Sequence, residues 1–163
     1  MTSIAEAPAR SAPAEAGLQI VDCDIHPAPA DRRALNPYLS ARWRRHLDDY
    51  GGFAAGVYQS RNAYPRFQPA AARRDAWPPA GGPPGSDLAF LQRQHLDPYG
   101  VRFGILEPLI EANTSRNVEL AAAVCAATND WQLETFAGPD PRLKASIQIA
   151  AEDTDAAVAE IRR

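Results

Sequence analysis

The sequence predicts an α/β fold: a parallel sheet with helices packed outside it. Three observations carry this. Strand-like apolar runs at 18–26, 101–109 and 143–150 alternate with longer stretches of helical period. The helical stretches open on capping residues and close on glycines. The order is strand, long excursion, helix, strand, helix, strand, helix, which needs crossover connections and hence parallel pairing. The 163 residues fit one compact domain.

Residues 1–17 are rich in Ala, Pro and Glu and poor in large apolar side chains. They read as a disordered leader without the apolar stretch of a secretory signal. "LQIVDCDIH" (18–26) is β-branched in its first half and is stopped by Pro27 and Pro29. Strict alternation puts Val21, Cys23 and Ile25 on one face and Ile20, Asp22, Asp24 and His26 on the other. "LSARWRRHLDDYGG" follows, with Ser40 as cap and Gly51 as stop. Leu39, Trp43 and Leu47 make its apolar stripe. The cluster Arg42–Arg45 reads as the solvated side of that helix.

Residues 51–85 are rich in Gly, Pro and aromatics. An insert of that length inside a compact domain is a lid, a binding segment or a loose excursion. Tyr58, Tyr64, Phe67 and Trp77 favour packing. "SDLAFLQRQHLDPYG" then starts at Ser86 and ends at Gly100, with Leu88, Leu91, Leu96 and Tyr99 near one face. Residues 117–138 form a long helix whose core face carries Leu120, Val124, Ala127 and Trp131. "DTDAAVAEIRR" is a further helix capped by Asp153 or Thr154. A closed (β/α)₈ barrel takes about 250 residues. The chain therefore reads as the N-terminal part of such a barrel, about three units of eight, incomplete by itself.

Composition excludes several functions. The formal net charge of −3 asks for neither nucleic acid nor an anionic membrane. No apolar stretch is long enough to span a bilayer. Cys23 and Cys125 sit in apolar or alanine-rich runs and read as buried free thiols of a cytoplasmic protein. No CxxC pair indicates a zinc knuckle, and no Gly-rich phosphate loop follows a strand.

Chemistry concentrates in "IVDCDIHP" (20–27). Asp24 and His26 fall at the C-terminal end of the first strand, where barrel enzymes keep their active sites. A neutral imidazole nitrogen and a carboxylate oxygen are both good divalent-metal ligands. An ion pair at a strand end is the plainer alternative. His46 and His95 fall on helices, where a partly exposed histidine is ordinary, and His95 is expected on the outer helix layer, away from the site.

"IVDCDIHP", "YGVRFGILEPL", "NDW" (129–131) and "DPRLK" (140–144), in this order, resemble the start of the amidohydrolase-related metal-dependent hydrolases. That branch includes amino-carboxymuconate-semialdehyde decarboxylase-like enzymes. The resemblance covers roughly 18–163, with 51–85 poorly matched. It implies a TIM-barrel hydrolase acting on a small molecule through a metal-activated water, with zinc, or manganese or another divalent ion, as cofactor. Non-oxidative decarboxylation of an aromatic or conjugated carboxylic acid is the alternative, and Arg61, Tyr64, Arg66 and Trp77 of the insert suit such a substrate. A non-enzymatic interaction module is the third reading.

By the same resemblance His26 matches the second metal-binding histidine of D-x-H-x-H, and Asp24 stands where the first histidine usually falls. Asp22 matches the preceding acid and takes a supporting, hydrogen-bonding role. Asn129, Asp130 and Trp131 hold helix packing. The family's remaining ligands and its catalytic acid/base come from later strands. The chain alone is therefore expected to be inactive, with no nucleic-acid or membrane partner and with room left for a homo-oligomer.

Overall fold

A computed structural model describes residues 19–31, 33–51, 73–109, 115 and 117–163. The expected leader and most of the insert, including Tyr58, Arg61, Tyr64, Arg66 and Phe67, lie outside the described residues. Three parallel strands form one sheet in the order β1 (Ile20–Ile25), β2 (Val101–Leu106), β3 (Leu143–Ala145). Around them lie α1 (Ala41–Tyr50), α2 (Leu88–Leu91), α3 (Val118–Gln132) and α4 (Thr154–Arg162). The expected alternation is observed, and the third strand is shorter than the 143–150 expected from sequence. β-propensity marks where a strand can form, but its length is set by what pairs with it.

Each helix forms for a local reason. The Asp87 carboxylate accepts from the Phe90 amide and caps α2, so the cap lies one residue after the expected Ser86. α2 continues as a π-helical turn over Gln92–Leu96. Asn117 and Asp153 cap α3 and α4 in the same way, accepting from Leu120 and Ala156. Ser40 stands at the start of α1 without a side-chain capping bond.

The core lies between sheet and helices in two clusters. Leu39 and Trp43 pack on Leu120, Ala121, Val124 and Cys125 of α3. Ile25, Leu96, Val101, Leu106, Trp131, Phe136 and Leu143 form the second, directly over the strands. The expected faces of α1 and α3 are the buried ones. Tyr99 is the exception on the second helical stretch: it is exposed because the chain has left the helix by then. Burying a Leu- or Phe-sized side chain contributes about 1.5–3 kcal/mol, so the second cluster is what holds β1 in place. Gly104 leaves room for side chains of the two flanking strands: a Cβ there would stand 2.5 Å from Ile25 Cδ1 and 3.0 Å from Leu143 Cδ2.

Side chains of the "NDW" and "DPR" stretches lock this packing. The Asn129 amide bonds Gln148 backbone on both sides and reaches Glu160 of α4. Asp130 pairs with Arg163, and Trp131 is in the core. Buried Asp140 accepts from Arg142 Nε and Nη2 along one edge of the guanidinium and from Gln92, while Arg142 Nη1 reaches Asp97. The Arg142 guanidinium, together with Gln92 and the Arg142 amide, overrides burial and holds the Asp140 carboxyl well below its usual range. The Arg42–Arg45 cluster is on the surface, with Arg42 bound to Glu119 at 2.7 Å and laid over the Trp43 ring.

Candidate metal centre

Pairing between β1 and β2 is irregular. Asp22 pairs with Gly104 and Ile25 with Leu106, so three steps along β1 match two along β2. The extra residue is a bulge, and it reverses the in–out phase of β1. Asp22 and Ile25 consequently face the helices, whereas Asp24 and His26 project from the opposite, exposed side. This corrects the alternation read from the sequence, which set Asp22, Asp24 and His26 on one face and Val21, Cys23 and Ile25 on the other, with Cys23 as a buried thiol. Val21 and Cys23 are exposed. Cys125 is buried, and burial pushes its thiol up to about 11.

On the exposed side, His26 Nε2 lies 3.2 Å from Asp24 Oδ1. The other ring nitrogen, Nδ1, is 2.8 Å from the Glu107 carbonyl oxygen at the end of β2. A carbonyl only accepts, so Nδ1 carries a proton; Nε2 faces a carboxylate, which also only accepts, so a cation, either a second ring proton or a bound ion, stands between them. The backbone of His26 is pinned as well. The Ala28 amide donates to the Gly85 carbonyl at 3.0 Å. Gly85 lies so close that a Cβ would run into the His26 carbonyl oxygen.

On the helix side, His95 Nε2 donates to Asp22 Oδ2 at 2.6 Å. The other Asp22 oxygen accepts the Asp24 amide at 3.0 Å. Burial alone would raise the Asp22 carboxyl. The His95 bond and the Asp24 amide, with the charges of His95 and His26, outweigh it and hold the group below its usual range. His95 is therefore not remote from the motif, as its helical position implied. It lies in the π-helical turn Gln92–Leu96, and its ring reaches Asp22 on β1. His95, the Glu107 carbonyl and Gly85 have no signal in the sequence, because each meets β1 only through the fold. His46 stays on α1, between the rings of Trp43 and Tyr50.

Among the described residues, no three His, Cys, Asp or Glu side chains cluster closely enough to hold a metal ion. Asp24 and His26 together offer two donors, and both suit a divalent cation. Among these residues, no helix is long and apolar enough to cross a membrane.

A parallel α/β sheet with a histidine and a carboxylate at the C-terminal end of its first strand is the setting of barrel-type hydrolases. The family model described as Amidohydrolase matches residues 21–163. The chain belongs to the amidohydrolase family, as the ordered motifs indicated. No curated protein matches it.

Proposed function

We propose that this chain carries part of the site of a metal-dependent hydrolase, with Asp24 and His26 as two donors to one divalent ion. On this reading β1–β3 are the opening units of a (β/α)₈ barrel, and the other ligands come from beyond them. One observation carries the proposal. His26 commits Nδ1–H to the Glu107 carbonyl and holds Nε2 3.2 Å from Asp24 Oδ1. A lone pair and a carboxylate at that distance repel unless a cation stands between them, either a proton on the ring or a metal ion. A backbone carbonyl on the second ring nitrogen is also the usual outer support of a metal-binding histidine.

Zinc suits this nitrogen–oxygen donor set, and manganese is compatible with it. When bound, such an ion supplies Lewis-acid chemistry to a carbonyl or to a water. The chain's own residues hold and orient the two donors. Glu107 fixes the imidazole tautomer, Gly85 and Ala28 fix the backbone, and Asp24 aims a carboxylate at the same point.

Calorimetric titration of the purified chain with Zn²⁺ tests this. Two side-chain donors predict weak binding that His26→Ala abolishes and Asp24→Asn weakens. Tight stoichiometric binding, or wild-type affinity in His26→Ala, refutes the two-donor site.

A further inference from the structure

We propose that His95 is a positioning residue for the Asp24–His26 pair and acts through Asp22. The inference rests on reading that pair as metal donors. His95 does not touch the pair itself. Its Nε2–H holds Asp22 Oδ2 at 2.6 Å, and Asp22 Oδ1 holds the Asp24 amide at 3.0 Å. The Asp22 carboxylate is thus fixed at both oxygens, one by a helix and one by the strand.

The consequence falls on Asp24. It sits at the bulge, where β1 and β2 drop out of register between Asp22 and Ile25. A bulge leaves backbone groups without their ladder partners and frees the local dihedral angles. The Asp22 carboxylate supplies the missing acceptor for the Asp24 amide. That bond closes a short loop within the strand and sets the direction in which the Asp24 side chain leaves it. His95 in turn prevents the Asp22 carboxylate from rotating away.

The chain of contacts is therefore ring, carboxylate, amide, carboxylate, running from the helix layer through the strand to the exposed side. It reaches across 73 residues of sequence at its first step. Ile25 and Leu106, on the helix side beside it, are buried and keep the strand from shifting instead. The side chains of His95 and Asp22 are 36% and 24% exposed, so the bond between them is partly shielded from water. A charge-assisted bond of this length is short and directional.

A staple that merely joins helix to strand would leave the Asp24 amide and the metal unaffected once the protein is folded. Two readouts on the full chain separate the roles: hydrogen exchange at the Asp24 amide by NMR, and Zn²⁺ affinity by calorimetry. In His95→Ala the Asp24 amide is expected to exchange roughly tenfold faster, in line with one lost hydrogen bond. Zn²⁺ affinity falls about tenfold to a hundredfold, the usual effect of removing an outer-shell partner.

His95→Gln keeps a donor at the Nε2 position and restores both values toward wild type. Wild-type exchange and wild-type affinity in His95→Ala overturn the proposal. So does a faster exchange that leaves Zn²⁺ affinity unchanged. Should the wild-type chain bind no Zn²⁺ at all, the metal reading of Asp24 and His26 fails, and the Asp24 exchange rate alone then decides the link from His95. If His95→Ala does not fold, His95→Gln is compared with Asp22→Ala on the same two readouts.

Discussion

Two histidine–aspartate pairs meet at strand β1, and they are built in opposite ways. In His95–Asp22 the protein supplies a partner for each carboxylate oxygen, and the ring nitrogen facing it is a donor. In His26–Asp24 one ring donor points away, to the Glu107 carbonyl, and the nitrogen facing the exposed carboxylate stands 3.2 Å from it with a cation still to be supplied between them. The first pair is complete as a hydrogen-bonded unit. The second is complete only with a cation. The same two residue types thus make a strut on one side of the strand and, on the proposed reading, a ligand pair on the other, and the difference lies in what stands between ring and carboxylate.

Substitutions break this contrast in a graded way. The largest effect is expected for Gly85→Ala. Gly85 has φ +80° and stands against the His26 carbonyl, so a methyl group meets both backbone strain and a fixed oxygen. A loss of about 2–3 kcal/mol is expected from the backbone conformation and the forced shift. Urea unfolding measures it, and Zn²⁺ binding should fall with it because His26 moves. Wild-type stability in this variant would mean that the 73–85 segment does not brace β1.

Next comes acid sensitivity, centred on Asp140 as a complete pair outside the strand. Its carboxyl is held below the usual range in the folded state by Arg142. A depressed folded pKa stabilises the protein above the unfolded value of about 3.9 and loses that contribution as the pH falls toward the folded pKa. Asp22 is depressed in the same direction and adds to the same window. The urea midpoint should therefore decline below about pH 4, and Asp140→Asn should flatten that decline while lowering stability at neutral pH. An equal acid slope in wild type and variant counts against the assignment.

The contrast itself is sharpened by the two smaller effects. Asp22→Ala strands the His95 ring proton and the Asp24 amide, and about 1–3 kcal/mol of stability should be lost. His26→Ala removes an exposed ring whose bond to Glu107 contributes about 0.5–1.5 kcal/mol at most. Thermal unfolding ranks them. If His26→Ala is the more damaging of the two without metal, the complete and incomplete pairs have been assigned the wrong way round.

Much of the fold was legible. The apolar stripes of α1 and α3 and the capping residue Asp153 are local features, and period and capping chemistry are written within a few residues of each other. The family was legible from the order of "IVDCDIHP", "NDW" and "DPRLK", and the match over 21–163 agrees. The Asp24–His26 contact was legible because residues two apart on a strand share a side. The place of Asp22 was not. One extra residue between Asp22 and Ile25 turned it to the helices, and a bulge depends on the partner strand rather than on the strand's own sequence.

By itself, then, the sequence determined the alternating strands and helices, the core faces of α1 and α3 and the residue types at the end of the first strand. These follow from periodicity and side-chain chemistry over short distances. Only the tertiary structure decided which aspartate meets which histidine. It brought His95 to Asp22 across 73 residues, the Glu107 carbonyl to His26 across 81, and Gly85 against the His26 backbone. The physical reason is that a ring nitrogen takes its role from the group opposite it, and that group is chosen by the register of the sheet and the path of the chain around it.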